Sequence, residues 1–263
     1  METEKTTLRG LSVLLTRPAQ QSMTLTARIE QAGGHVCQLP LIEIEAITDA
    51  DAVAELKQKI LNLDRYDAAI FISTNAANLG LEWIERYWPQ LPTGLTAFAV
   101  GPGTAKVLAR LPWPVYHSAR GVTSEDLLAL PQLKHIKGQR IALFRGQGGR
   151  ELLAETLRQR GAEVDYLELY RRQTPDYSSS SVDDLLRQHQ VNVIVVTSSQ
   201  ILEVLMHLLS DSADFLTLPV IVPSRRVLEQ AHLSGFTRVL DAGGADDDAL
   251  FEALQHLQEP LYH

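Results

Sequence analysis

Hydrophobic and polar positions along the chain alternate between short apolar runs and helically spaced segments. Residues 11–15 form an apolar run of strand length, and in residues 20–32 the apolar positions Leu25 and Ile29 lie on one helical face. Two glycines end this predicted helix, and residues 36–41 have the composition of a second strand. The chain therefore begins with a predicted strand–helix–strand unit.

The same alternation continues along the rest of the sequence. Further strands are predicted at residues 68–72, 96–100, 141–144, 193–197 and 220–222, each followed by helical spacing. Strands that are apolar throughout and separated by helices are typical of parallel sheets covered on both faces. The predicted fold class is α/β, with parallel-sheet domains.

An internal repeat is visible in the sequence. A shift of 128 residues places Arg17 on Arg145 and Gly33 on Gly161 without a gap. A shift of 124 then places residues 70–75 on 194–199, and a shift of 122 places residues 99–100 on 221–222. We infer two similar α/β units, at roughly residues 10–130 and 138–258.

Two segments at matching positions of the repeat differ from the buried strands. Residues 40–45 alternate apolar and acidic side chains, and their counterpart is residues 167–172. Alternation of this kind predicts exposed strands. We expect a two-stranded bridge between domains here, with Tyr170 on an exposed segment that faces the space between them.

Candidate binding residues follow the predicted strands, where parallel sheets bind their ligands. These strand ends are small, hydroxylated or rich in glycine, and each opens a helix. N-capping explains any one of them, but six together favour a polyanionic ligand held by backbone amides. The candidates are Arg17, Ser73, Thr74, Asn75, Gly101, Gly103, Thr104, Arg145, Gly146, Thr197, Ser198, Ser199 and Ser224.

Arginine and tyrosine side chains supply the remaining candidate chemistry, and two interpretations stay open for each. Arg17 and Arg145 either neutralise ligand carboxylates or pair with acids of the protein, and the same holds for Arg225 and Arg226. Tyr170 either packs or donates a proton to a leaving oxygen.

Composition and motifs exclude several other classes of protein. A net charge of −8 argues against nucleic-acid and anionic-membrane surfaces, and a single cysteine, Cys37, excludes an internal disulfide. No histidine spacing suits a metal, and the glycine motifs at Gly101 and Gly146 lack the third glycine of a dinucleotide fingerprint. Without a signal peptide or a long apolar run, the expected location is the cytoplasm.

The motifs taken in order resemble those of the uroporphyrinogen-III synthases. The resemblance is carried by residues 13–18, 71–76, 99–105, 121–128, 169–172, 196–199 and 222–224. Ile72 and Thr74 depart from the pattern that is usual in that family.

The resemblance implies two α/β domains joined by a two-stranded β linker, with the active site in the cleft between them. Residues 1–38 and 174–263 would form one domain and residues 42–168 the other, with linkers at 39–41 and 169–173. The implied substrate is hydroxymethylbilane, a linear tetrapyrrole with eight carboxylates, handed over by hydroxymethylbilane synthase. No metal or organic cofactor is implied, and we expect a monomer.

The implied reaction begins with loss of the terminal hydroxyl as water, which leaves an electrophilic azafulvene. The far ring attacks through its substituted carbon, and the spiro intermediate fragments and recloses with that ring inverted. Tyr170 matches the tyrosine that assists loss of the hydroxyl. Two alternatives remain open: a non-catalytic two-domain protein that binds anions, and a dinucleotide-dependent oxidoreductase.

Overall fold

The computed structural model describes residues 7–118, 123–149, 151–209 and 213–257. Gly121 and Val122, at the start of one of the motifs above, lie outside the described residues. The chain divides into two compact units. Unit 1 contains the chain up to Glu43 and from Gln173 onward, and unit 2 runs from Ile44 to Arg172.

Strands and helices alternate along the chain. The strands are β1 (Ser12–Leu15), β2 (His35–Gln38), β3 (Glu43–Ala46), β4 (Ala68–Phe71), β5 (Thr96–Ala99), β6 (Val115–His117), β7 (Arg140–Gly146), β8 (Glu163–Gln173), β9 (Val193–Val195), β10 (Pro219–Val222) and β11 (Arg238–Asp241). The α-helices are α1 (Ala19–Gln31), α2 (Ala50–Leu61), α3 (Thr74–Tyr87), α4 (Pro102–Leu108), α5 (Ser124–Leu128), α6 (Leu152–Gln159), α7 (Ser179–Gln188), α8 (Ser199–Leu208), α9 (Arg225–Leu233) and α10 (Asp247–His256).

Unit 1 is built on a five-stranded sheet with the order β11-β10-β9-β1-β2. Its neighbouring strands are parallel, and β1 and β9 are buried along their whole length. Leu25 and Ile29 of α1 pack with Leu250 and Leu254 of α10 in the core of this unit. The two residues predicted to form the apolar face of the first helix are therefore both fully buried.

Unit 2 is built on a six-stranded sheet with the order β3-β8-β7-β4-β5-β6. Ala69 and Phe71 of β4 belong to one core cluster, and Ala68 and Ile70 belong to another. Because alternate residues of a strand point to opposite faces, both faces of this sheet are covered. The predicted α/β class with parallel sheets is confirmed.

Strand order and register show how the two halves of the sequence correspond. The order β2-β1-β9-β10-β11 in unit 1 matches β8-β7-β4-β5-β6 in unit 2, so each sheet contains strands of both copies. Val195 pairs with Leu15 of β1, and Ile70 pairs with Leu143, the residue of β7 that corresponds to Leu15, so Val195 corresponds to Ile70 with a shift of 125 residues. One strand further along each sheet, Ile221 pairs with Val195 and Phe98 pairs with Ile70, so Ile221 corresponds to Phe98 with a shift of 123. The predicted shifts of 124 and 122 are each wrong by one residue, because a strand buried on both faces carries no alternation to fix its register.

The segment expected to be an exposed bridge is part of the unit 2 sheet up to Arg172. Residues 167–172 are the second half of the eleven-residue strand β8, which lies between β7 and the edge strand β3. Leu167, Leu169 and Tyr170 are buried, so the prediction of an exposed segment is wrong for them, whereas Arg171 and Arg172 are exposed. Tyr170 packs in the same core cluster as the stacked rings of Phe71 and Phe144, and burial of its apolar ring in this cluster is favourable.

Candidate active site

A β-bulge sets the position of Tyr170. The pairing of β7 with β8 joins Arg145 to Glu168 and Gly146 to Tyr170, which leaves Leu169 as an extra residue on β8. A bulge of this kind re-aims the side chains that follow it. A Cβ atom on Gly146 would lie 2.5 Å from a carbon of the Tyr170 ring, so only glycine leaves room for the tyrosine here.

The hydroxyl group of Tyr170 reaches the start of a helix. Its oxygen lies 3.1 Å from Oγ of Ser73, and either atom can be the donor. Ser73 is the N-cap of α3, and its Oγ accepts the backbone N–H of Ala76 at 3.1 Å. The structure thus brings together three predicted site residues of unit 2: Tyr170, Ser73 and Gly146.

Two of these residues, Tyr170 and Gly146, border a cavity that lies within unit 2. Its volume is about 150 Å³, and its lining includes Tyr170, Gly146, Ser124, Arg145 and Arg172. Sites that enclose a whole small molecule usually measure roughly 300–1,000 Å³. This cavity is therefore large enough for one part of a large ligand, such as a single pyrrole ring.

Arg145 is engaged by the protein itself. Its side chain is buried, and Nη1 donates to Oε1 of Glu151 at 3.1 Å while Nε donates to the carbonyl oxygen of Gly146 at 3.2 Å. Nη2 donates to the carbonyl oxygen of Gly148. Of the two interpretations of Arg145, the structure favours pairing with an acid of the protein, and these bonds hold the loop beside Tyr170.

Tyr166 connects this arginine to a second one. The guanidinium groups of Arg145 and Arg158 lie 4.8 Å and 4.9 Å from the centroid of the Tyr166 ring. The Tyr166 hydroxyl donates to Glu151, and this bond, with the two arginines nearby, lowers the pKa of the Glu151 carboxyl. This charged network connects the loop after β7 to α6 and so supports the loop.

The candidates after β4 and β5 lie close to one another. Gly101 is the N-cap of α4 with φ +89°, a conformation that favours glycine, and Pro102 follows it. A Cβ atom on Gly103 would lie 3.7 Å from Oγ1 of Thr74, so these two residues are neighbours. Thr104 is buried, whereas Asn75 lies in the first turn of α3.

In unit 1, the end of β1 is linked to the start of α10. Arg17 is 6% exposed, and its Nη2 donates to Oδ1 of Asp247 at 2.5 Å. The buried Nε of Arg17 has no hydrogen-bond partner among the residues that the structure describes. Thr16 donates to the carbonyl oxygen of Val195 at 2.6 Å. Arg17, like Arg145, therefore pairs with a carboxylate of its own unit.

The other strand ends of unit 1 present hydroxyl groups at helix starts. Ser198 caps α8 by accepting the N–H of Ile201, and Ser199 donates to the side chain of Gln230 at 2.7 Å. Ser224 occupies the N-cap position of α9 without a side-chain capping bond, and Thr197 is half-buried. Arg225 is exposed and lies 3.3 Å from Glu229, which matches the interpretation as a surface pair.

Several residues of these sites were missed from the sequence. Asp247, Glu151 and Tyr166 were missed because their partners lie on other elements. Ser124 lies inside the quoted motif at 121–128, so the motif itself was a usable signal. Arg172 was noted beside Tyr170, but a strand residue two positions from a candidate shares its face and could have been selected on that ground.

Among the described residues, neither a metal-binding cluster nor the cysteine offers an alternative active site. Between residues 7 and 257, outside the gaps, no cluster of His, Cys, Asp or Glu could hold a metal ion. Cys37 is buried on β2, and burial raises the pKa of its thiol to about 11, so it is protonated at neutral pH. In the same described ranges, no helix is long and apolar enough to cross a membrane.

A larger cavity in unit 1 lies away from the strand ends. Its volume is about 730 Å³, and it is lined by residues such as Thr7, Arg9, Arg28 and Phe251. Thr7 and Arg9 precede β1, so this cavity is at the amino ends of the strands. Parallel sheets bind ligands at the carboxyl ends, and we therefore place the candidate site at the smaller cavity.

Comparisons with known proteins identify relatives along almost the whole chain. A family model described as "Uroporphyrinogen-III synthase HemD" matches residues 23–252. A uroporphyrinogen-III synthase of Proteus mirabilis is 38% identical over 203 residues, which cover 74% of this chain and 98% of that protein. The uroporphyrinogen-III synthase of Escherichia coli is 33% identical over 253 residues, which cover 93% of this chain and 100% of the relative.

Solved structures show the same fold at lower identity. A mutant uroporphyrinogen III synthase from the extremely thermophilic bacterium Thermus thermophilus superimposes with a TM-score of 0.61 at 16% identity, over 95% of this chain and 100% of that one. A uroporphyrinogen-III synthetase from Helicobacter pylori gives a TM-score of 0.56 at 15% identity, over 94% and 99% of the two chains. These two comparisons support the architecture described above.

Proposed function

The chain belongs to the uroporphyrinogen-III synthase family, and from this premise we propose that it cyclises hydroxymethylbilane to uroporphyrinogen III. The observation that carries the proposal is the family match over residues 23–252, together with Tyr170 in the lining of a small cavity of unit 2. The reaction is that of a cyclising lyase in tetrapyrrole synthesis: water is lost, and ring D is inverted through a spiro intermediate.

In this proposal Tyr170 assists departure of the hydroxyl group. The phenol donates a hydrogen bond or a proton to the leaving oxygen, which departs as water and leaves the azafulvene. The pyrrole nitrogen supplies most of the driving force, and the phenol assists departure of the oxygen. Support comes from two observations: Tyr170 lines the cavity, and its oxygen is held 3.1 Å from Oγ of Ser73.

The protein would also hold the two ends of the substrate for spiro attack. Backbone N–H groups at helix starts, with nearby hydroxyl groups, suit the substrate carboxylates. Gly101, Gly103, Thr74, Ser198 and Ser224 lie at such positions. Positioning of this kind is the main catalytic task, because closure without the enzyme gives the uninverted ring.

Arg17 and Arg145 take a different role from the one first expected. Both are held by carboxylates of the protein, so we assign them to support of the strand ends rather than to direct binding of substrate. The domain boundaries, a monomeric state, a cytoplasmic location and delivery of substrate by hydroxymethylbilane synthase remain predictions of the same proposal.

The test uses freshly generated hydroxymethylbilane and chromatography of the oxidised porphyrin isomers. The proposal predicts isomer III without any added metal or nucleotide. A protein that only binds the bilane would leave isomer I forming at the spontaneous rate. A dinucleotide-dependent oxidoreductase would bind a dinucleotide tightly and form no isomer III. Either of these outcomes would refute the proposed function.

A further inference from the structure

We propose that Arg172 determines specificity for the substrate by binding a carboxylate of the ring that enters the Tyr170 cavity. The inference rests on the proposed function and deepens it. It starts from the size of the cavity, about 150 Å³, which admits one ring of a linear tetrapyrrole. If Tyr170 assists loss of the hydroxyl, that ring is the one that bears the hydroxymethyl group.

Among the residues that the structure describes, two arginines line this cavity, and one of these two is available to a ligand. Arg145 is 2% exposed, and three of its nitrogen atoms donate to protein oxygens. Arg172 is exposed and lines the cavity, and its side chain makes no hydrogen bond or ion pair with any residue in the described part of the chain. Of the two described arginines at the cavity, Arg172 is therefore the one whose positive charge is not compensated by the protein.

The direction of the Arg172 side chain follows from the geometry of β8. Residues two apart on a strand lie on the same face, and Tyr170 and Arg172 both follow the bulge at Leu169. Arg171, between them, points the other way and pairs with Glu45, with 2.9 Å between Nη2 and Oε2. The two adjacent arginines thus differ: Glu45 neutralises Arg171, whereas Arg172 lies on the same face of β8 as Tyr170, the candidate proton donor.

The chemistry of a guanidinium group fits the ligand. Its planar donors bind a carboxylate through two parallel hydrogen bonds, which fixes orientation as well as position. A substrate ring that carries acetate and propionate groups offers such a partner at the cavity. Held there, the ring would present its hydroxymethyl group to the Tyr170 hydroxyl, so Arg172 fixes the orientation of the ring that enters.

The test combines variants of the protein with a modified substrate. Arg172→Gln and the control Arg171→Gln are compared on hydroxymethylbilane and on an analogue whose hydroxymethyl-bearing ring has methyl and ethyl in place of its two acidic side chains. We expect Arg172→Gln to raise KM about tenfold on the natural substrate, the low end of what a charged hydrogen bond contributes. On the analogue, Arg172→Gln and the unmodified protein should have equal KM values.

Further measurements separate recognition from a structural effect. Arg172→Lys should recover part of the lost affinity because it keeps the charge without the planar fork, and Arg171→Gln should behave like the unmodified protein. The difference between Arg172→Gln and the unmodified protein should shrink at high salt. An equal change of KM on both substrates, or none on either, overturns the role of Arg172. If the unmodified protein forms no isomer III, the proposed function fails instead.

Discussion

The Tyr170 hydroxyl oxygen lies 3.1 Å from Oγ of Ser73, and the same Oγ accepts the N–H of Ala76 at the start of α3. One serine hydroxyl therefore joins a 14-residue helix to the candidate proton donor. Because the serine oxygen is fixed by the helix, it holds the phenol oxygen in one position at the edge of the cavity. Turnover should therefore be sensitive to each of the groups that hold this phenol in place.

Removing the phenol oxygen should slow the reaction without changing its product. Tyr170→Phe keeps the ring that packs against Phe71 and Phe144 but loses the proton donor, a loss that typically costs about 10²–10⁴ in rate. We expect isomer III to remain the product, since ring inversion depends on how the chain ends are held. Single-turnover rates and isomer ratios test this, and a variant that forms only isomer I would contradict it.

The capping serine should affect both stability and turnover. Ser73→Ala removes an N-cap, which costs about 1 kcal/mol of stability, and also releases the phenol. Ser178→Ala is the matched control, because Ser178 caps α7 by accepting the N–H of Ser181 at 3.2 Å and is exposed. Denaturant unfolding should show similar losses for both variants, while only Ser73→Ala lowers turnover. Full turnover of Ser73→Ala would show that the phenol needs no such support.

A methyl group at position 146 should act through the tyrosine. A Cβ atom there would lie 2.5 Å from the ring of Tyr170, so Gly146→Ala must displace that ring. We expect turnover to fall by about tenfold or more, because small errors of position are costly in catalysis. The test is the double variant Gly146→Ala/Tyr170→Phe. If Gly146 acts through the phenol, adding Gly146→Ala to Tyr170→Phe should cost much less in rate than it does alone, and equal losses would refute this.

The network around Glu151 gives a prediction about pH. The pKa of Glu151 is lowered from 4.5, mainly by the hydrogen bond from Tyr166. A carboxyl group with a lowered pKa in the folded state stabilises the protein above its ordinary pKa, and this contribution is lost as the pH falls through the lowered value. Glu151→Gln should therefore be less stable than the unmodified protein at pH 7, by an amount that shrinks below about pH 4.5.

Thermal unfolding between about pH 3 and pH 7 measures this difference across the range in which the carboxyl group titrates. The control is Glu155→Gln, one helical turn further along α6, where the side chain is exposed. Its stability difference from the unmodified protein should be small and should not follow the same pH profile. A pH-independent loss for Glu151→Gln would mean that the lost hydrogen bonds, rather than the charge, account for the effect.

The fold was predictable from local patterns, up to a limit set by register. Apolar runs and helical spacing identified β1, α1 and five of the later strands, because each pattern is complete within one element, whereas β6 and β11 were not predicted. The correspondence between Val195 and Ile70 was missed by one residue, since only hydrogen bonds between strands define it. In a fully buried sheet the register is defined by the hydrogen bonds between two strands, so the sequence of one strand alone does not predict it.

The candidate site was predictable in position but only partly in its contacts. The strand ends that carry the candidate residues were located to within two residues, but Arg145 and Gly146, which were predicted to follow a strand, lie within β7. The pairing of Arg17 with Asp247, 230 residues apart, depends on packing of the whole unit. The burial of Tyr170 depends on the bulge at Leu169 and on the absence of a side chain at Gly146. Such contacts join distant parts of the chain, and residue type alone does not predict them.

The most direct test of the proposed function is the initial rate at which uroporphyrinogen isomer III forms from hydroxymethylbilane as the concentration of this protein is varied. No metal or nucleotide is added, and a sample without protein gives the spontaneous rate. We predict that isomer III predominates and that its rate rises in proportion to protein. Isomer I as the main product at every protein concentration would contradict the proposed function.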